Sequence, residues 1–163
     1  MCLHSCHTTI PTDKEPIAFD IPKFINSEIE ILQTLNPTIT KTVSNGKSKE
    51  VKQLKIANWQ KELSQFALID LNKSGSFNFL KERYGDTLVF KTPPTVDNTI
   101  VIKVIYSHHD TPIQLYISKK TQNLLYVNEE KLHYTVGKAY SIDKRQYVRG
   151  IGDNHYLVSG KIE

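Results

Sequence analysis

The chain has 163 residues, 39% of them hydrophobic, with Gly 7, Pro 7 and a formal charge of +4. That length suits one compact unit burying about two-thirds of its unfolded surface, and the balance excludes a fibrous or disordered chain. The cations are scattered among acids with no recognition motif beside them, which excludes a nucleic-acid footprint.

Cys2 and Cys6 are the 2 cysteines, so no disulfide framework can staple the body. Leu3-His4-Ser5-Cys6 reads as the end of a bacterial lipoprotein signal: an apolar residue, two spacers with the second small, then the cysteine that receives lipid. Each buried acyl methylene adds about 0.8 kcal/mol, and one chain alone binds only marginally, so several would be needed for firm anchoring. The charged and apolar parts of a full signal do not precede Leu3, which points to a truncated start or a misplaced Met1. Two other readings of the segment stay open: an unstructured cytosolic N-terminus, and a thiolate–imidazole metal cluster of Cys2, His4, Cys6 and His7. On the first reading, 1–20 is an anchor remnant and tether, and 21–163 is a single globular α+β domain. No run approaches the ~20 apolar residues that cross a bilayer as a helix.

Asp20 is placed to cap a first helix, with Pro22 near its first position. Phe24, Ile25, Ile29, Leu32 and Leu35 recur at three-to-four spacing and define its apolar face. Asn36-Pro37 stops it, because the residue before proline avoids the helical region. Thr38 to Ser44 is rich in β-branched residues, and Asn45-Gly46 signals a two-residue hairpin turn with positive φ at both positions. The returning strand, 47–56, is charged enough to lie at an edge. Asn58 caps a second helix whose stripe is Trp59, Leu63, Phe66 and Ala67, widened by Leu68 and Ile69. Trp59 reads as core. Asp70 and Asn72 end the helix in an Asx-type turn, and 76–86 takes no assignment.

The period then changes to two. Strands are expected over 87–92, 99–107, 112–118, 123–127, 131–136, 139–148 and 155–162, separated by turn signals that include Asn128-Glu129-Glu130 and Gly150-Ile151-Gly152. Short connections imply an antiparallel meander. The expected fold is therefore α+β: two N-terminal helices packed on a twisted antiparallel sheet of six or seven strands, flat or curled into an open half-barrel.

His108-His109-Asp110 offers ligands for a transition metal, with His133 or His155 completing the set. Adjacent histidines in a strand point to opposite faces, so the weaker metal reading needs a turn here, and a polar hairpin tip is the better account of the triplet. Tyr106, Tyr116, Tyr126, Tyr134, Tyr140, Tyr147 and Tyr156 could line one face and grip a lipid or sugar, or serve as ordinary cross-strand packing. A nucleophile motif, a phosphate-binding glycine loop and a dinucleotide fingerprint are absent. No catalytic residue and no cofactor is expected.

Asn58-Trp59-Gln60-Lys61-Glu62-Leu63, Phe66, Asp70-Leu71-Asn72-Lys73, Asn123-Leu124-Leu125-Tyr126 and the closing Tyr156-Leu157-Val158-Ser159-Gly160-Lys161-Ile162 together resemble a family of small uncharacterised lipoproteins of Gram-negative bacteria. The likeness covers roughly residues 40 to 163, with Asn58 where that family has aspartate and Ser74-Gly75 replacing its proline-glycine bend. The resemblance implies the anchor and the fold and carries no residue roles. The expectation is thus a non-enzymatic envelope lipoprotein, membrane-anchored at the outer membrane through Cys6, acting as a binding or interaction module. Its partner would be a lipid, a glycan or an envelope protein. The alternatives are a structural subunit of an envelope complex, predicting an exposed apolar patch in place of a pocket, and a metal-dependent enzyme built on His108, His109 and Asp110.

Overall fold

The computed structural model describes residues 19–73, 78–93 and 98–163. One antiparallel sheet of nine strands dominates it, in the order β2-β1-β9-β8-β7-β6-β5-β4-β3. The strands are β1 (Thr38–Ser44), β2 (Lys49–Lys55), β3 (Leu80–Tyr84), β4 (Thr87–Lys91), β5 (Asn98–Tyr106), β6 (Pro112–Gln122), β7 (Tyr126–Thr135), β8 (Ala139–Val148) and β9 (Gly152–Ile162). From β3 to β9 the chain meanders, each strand beside the last. β1 then closes against β9, which places the charged β2 at the edge, as its composition predicts.

Helix α1 (Ile21–Leu35) begins and ends as its sequence predicts. The Asp20 carboxylate accepts from Lys23 N at 2.9 Å, and Asn36 leaves the helix in the left-handed region at φ 46°. The helix crosses the sheet: Phe19 meets Tyr106 of β5, Phe24 meets Tyr134 of β7, and Gln33 accepts from Trp59 N at 3.2 Å. Ile21, Ile25, Ile29 and Leu32 are buried beneath it, whereas Leu35 is exposed.

The expectation of an α+β fold with two helices on six or seven strands is overturned: the protein is mostly sheet, nine strands with α1 as the one full helix among the described residues. The second helix, α2 (Trp59–Glu62), is one turn long, followed by a 3-10 turn at Phe66–Leu68. The Ser64 hydroxyl donates to Lys61 O and Phe66 N to Leu63 O, so the chain turns in place of continuing. The three-to-four spacing of Trp59, Leu63, Phe66 and Ile69 is real, and all four are buried, but successive turns satisfy it as well as a helix would.

The sheet has nine strands because β1 and β2 join the meander, and two strand assignments within the meander also change. β3 was hidden because it is an edge strand with little buried face; Leu80 and Tyr84 are both exposed. Asn128-Glu129-Glu130 is not a turn but the middle of β7. Glu129 pairs Lys120 at 3.0 Å, and Glu130 meets Lys119 at 3.1 Å and Lys144 at 2.8 Å on its two neighbours. Opposite charges across a ladder hold a strand that its composition alone would break. The β1–β2 connection also departs from the two-residue turn. Four residues, Asn45 to Ser48, bridge Ser44 and Lys49, and the Asn45 side chain accepts from Lys47 N and Ser48 N. Only Gly46 takes positive φ, at 82°.

The helices cover one face of the sheet. Beneath them lie Phe90, Ile102, Val104, Leu115, Ile117, Leu132, Tyr134, Tyr140, Ile142 and Val158, all buried. β6 to β9, of 11, 10, 10 and 11 residues, run on past the helical layer.

Candidate functional site

Strand alternation sorts the predicted site residues onto two faces. Tyr134 and Tyr140 point under the helices and are core. The Tyr134 hydroxyl donates to Glu28 at 2.8 Å, and the Tyr140 hydroxyl donates to Glu62, which Lys41 also contacts. Burial first, then the facing carboxylate, pushes both phenols well above their ordinary range, so both stay protonated donors. Tyr126 lies on this same face toward the far end of β7 and Tyr156 borders the groove beside α2, whereas Tyr116 and Tyr147 occupy the uncovered face. Tyr106 packs on Phe19 with the Arg83 guanidinium over its ring. The tyrosines therefore do not form one binding surface. Trp59 is fully buried, as expected of core, but its Nε1–H has no partner among the described residues.

His108 and His109 sit exposed in the β5–β6 turn, closed by Ser107 N donating to Thr111 O at 2.8 Å. Asp110 takes positive φ there and pairs with Arg83 at 3.1 Å. His133 and His155 lie on other strands, engaged by Gln114 at 3.3 Å and by Asp143 at 2.9 Å. No group of three or more His, Cys, Asp or Glu stands close enough to hold a metal ion among the described residues. Cys2, His4, Cys6 and His7, and the tether to residue 18, lie outside the described residues.

Around Trp59 the helical layer packs directly on the sheet, whereas a hollow of about 540 Å³ opens between Pro22, Leu68 and Ile69 on one side and Ile100 and Lys119 on the other. Trp59, Leu63 and Phe66 have no exposed surface, and their rings meet Tyr140 and Tyr134 edge-on. The groove beside α2, about 500 Å³ in volume, is lined by Lys41, Lys55, Lys61, Glu62 and Lys144. Two of its lysines are paired: Lys41 with Glu62, and Lys144 with Glu130 at 2.8 Å, Lys144 also donating to Gln65 at 2.8 Å.

Glu130 has a testable consequence for stability. Burial raises its pKa, but Lys144 and Lys119 outweigh burial and hold the carboxyl below the ordinary range. A depressed folded value means that the stabilisation is complete above the unfolded pKa of about 4.3 and is lost as pH falls through the folded value. Glu130→Gln is expected to cost about 1–2 kcal/mol at neutral pH. Urea midpoints from pH 7 to pH 2.5 should show the gap to wild type closing in acid; a constant gap would refute the assignment.

The uncovered face carries two shallow hollows. In one, a register row of Thr42, Ser159, Ser141 and His133 borders a depression of about 470 Å³. The other, about 330 Å³, lies toward the far ends of β7, β8 and β9, between Glu129, Arg145, Tyr147, Asp153 and His155. Tyr147 is 52% exposed at its wall. Arg145 Nε lies 3.7 Å from Asp143, the carboxylate that also engages His155. The Lys120 ammonium lowers the Glu129 pKa and keeps it ionised.

No protein-family model, curated protein or solved structure matches this chain. Function therefore has to be argued from the geometry. The Tyr147 hollow combines a bare ring face with a guanidinium, an imidazole and carboxylates, a set suited to a flat partner rich in hydrogen-bonding groups. Sequence reasoning had Tyr147 only as one of seven tyrosines. The strand period places Tyr147 on the face opposite Tyr140, but nothing in the period shows that this face stays uncovered.

Proposed function

We propose that this chain is a non-enzymatic interaction module of a bacterial cell envelope, tethered at the outer membrane through an acylated Cys6. The lipoprotein-like Leu3-His4-Ser5-Cys6 and the family likeness of the body support the location. One observation carries the mode of action: the uncovered face of the sheet offers an open hollow walled by Tyr147 and rimmed by Glu129, Arg145, Asp153 and His155. A module built this way contacts its partner at a surface of the sheet. Sugar rings have the matching chemistry, with one apolar face and a rim of hydroxyls, so the partner proposed is an envelope glycan.

The test is retention of the purified chain on peptidoglycan sacculi and on lipopolysaccharide. Wild type should be retained on one of them, and Arg145→Ala with Tyr147→Ala should weaken retention at least tenfold. Both side chains are exposed, so the variant should melt like wild type. No retention on either glycan, or equal retention of the variant, would remove this reading.

A further inference from the structure

At the end of the sheet remote from the helices, two hairpin tips stand side by side. The β6–β7 turn carries Leu124 and Leu125, and the β8–β9 turn carries Ile151. Arg149 N donates to Leu125 O at 2.9 Å and joins the two turns. Leu124 is 90%, Leu125 69% and Ile151 86% exposed, the most exposed aliphatic cluster on the described surface. Branched side chains this bare at a turn are unfavourable in water and call for a partner.

We propose that these paired tips insert Leu124, Leu125 and Ile151 into the interface of an anionic lipid bilayer. The inference rests on the reading that the chain works against an envelope membrane, and it adds a second membrane contact independent of Cys6.

Three observations favour lipid over a protein partner. The side chains project from the ends of two turns and do not form a flat patch or line a groove. A protein would need a separate pocket for each, whereas a fluid interface closes around any protrusion. The turn backbone is already provided for: the Asn123 side chain accepts from Leu125 N at 2.8 Å and Tyr126 N at 2.9 Å. Asn123 N donates to Tyr126 O, and Ile151 N to Val148 O, both at 3.0 Å. Backbone groups bonded within the turn can leave water without the penalty that bars irregular chain from lipid. The charge also fits. Residues 122–128 contain no acid, Arg149 lies between the tips, and Lys47 and Lys49 occupy the β1–β2 end beside His155, so these cations outnumber Asp153, the acid at the base of the second tip. Tyr126 and Tyr147 flank the aliphatic residues at the level where amphipathic rings meet a membrane interface.

Both contacts can reach one bilayer. Phe19 packs on Tyr106, at the opposite end of the sheet from the tips. The ten steps of β6 span about 34 Å. The thirteen steps from Cys6 to Phe19 allow a contour of at most about 45 Å.

The test uses the full chain purified without acylation, floated with vesicles of phosphatidylethanolamine and phosphatidylglycerol, and with phosphatidylcholine vesicles as control. Wild type should float with the anionic vesicles. Leu124→Ser with Leu125→Ser and Ile151→Ser should lower the partition coefficient at least tenfold at unchanged melting temperature. Arg149→Ala should lower it about fivefold, the effect of one surface cation on an anionic leaflet. Leu125→Trp should blue-shift its emission on binding and be quenched by brominated acyl chains, while the buried Trp59 gives a constant background. The proposal is overturned if wild type does not float, if the triple serine variant floats equally, if Leu125→Trp is not quenched, or if the tips pair two copies in solution without vesicle binding. A Cys6 found unmodified in natively produced protein would remove the anchor and leave this result standing, so the two failures are separable.

Discussion

Gly160→Ala is expected to destabilise the fold by about 3 kcal/mol, the upper end of the usual cost of overpacking a core. A methyl at this position would lie 2.2 Å from Tyr140 Cε1, 2.5 Å from its Cζ and 2.7 Å from its hydroxyl. The ring cannot swing aside. Tyr140 is buried, meets Trp59 edge-on at 6.1 Å, and is tied through its hydroxyl to Glu62. Its register partner on β9 is Gly160, so the ring lies flat over the one position in the pair that has no side chain. Urea midpoints measure the effect. In a Tyr140→Ala background the same substitution should cost far less, because the two changes share one contact and are not additive. An unchanged midpoint for Gly160→Ala would show that the ring does not occupy this place.

Trp59→Ala should cost about 3–5 kcal/mol, as expected for emptying the largest fully buried side chain. Trp59 joins three parts of the molecule: its backbone N–H donates to Gln33 of α1, its ring packs on Tyr140 of β8, and its own turn carries Leu63 and Phe66 to the sheet. Trp59→Phe should cost only about 1–2 kcal/mol. It leaves a smaller void, and it removes an indole N–H that is buried without an acceptor and so already lowers stability. Equilibrium denaturation of both variants checks the pair. Equal losses would mean that the Nε1–H has an acceptor after all.

Local sequence decided what local forces can decide. The Asp20 cap, Pro22, the apolar stripe through Leu32 and the Asn36-Pro37 stop defined α1 at both ends, because capping and chain sterics act within a few residues. The same holds for β1, β2 and the Asp70 turn, where Asn72 N donates to the Asp70 carboxylate at 2.8 Å. Legibility ended where partners distant in sequence contribute. Asn128-Glu129-Glu130 reads as a turn until Lys119, Lys120 and Lys144 stand opposite on two other strands. The stripe from Trp59 to Ile69 reads as a helix until Ser64 and Phe66 turn the chain within it.

The candidate surfaces follow the same division. Tyr147, Leu124, Leu125 and Ile151 are unremarkable by type, and alternation assigns each only to a face or a turn. Their character depends on which face of the sheet α1 and α2 cover and on which turns they leave bare, a consequence of packing between segments that the chain separates widely. From its residues alone, then, this protein determined its first helix, its meander and the side-chain alternation along each strand, because these rest on backbone sterics and nearest neighbours. Packing of the helical layer and registry of the nine strands decided which tyrosines became core, why Gly160 must lack a side chain, and which apolar residues were left in water. Burial is a property of what lies opposite, and only the assembled layers supply that.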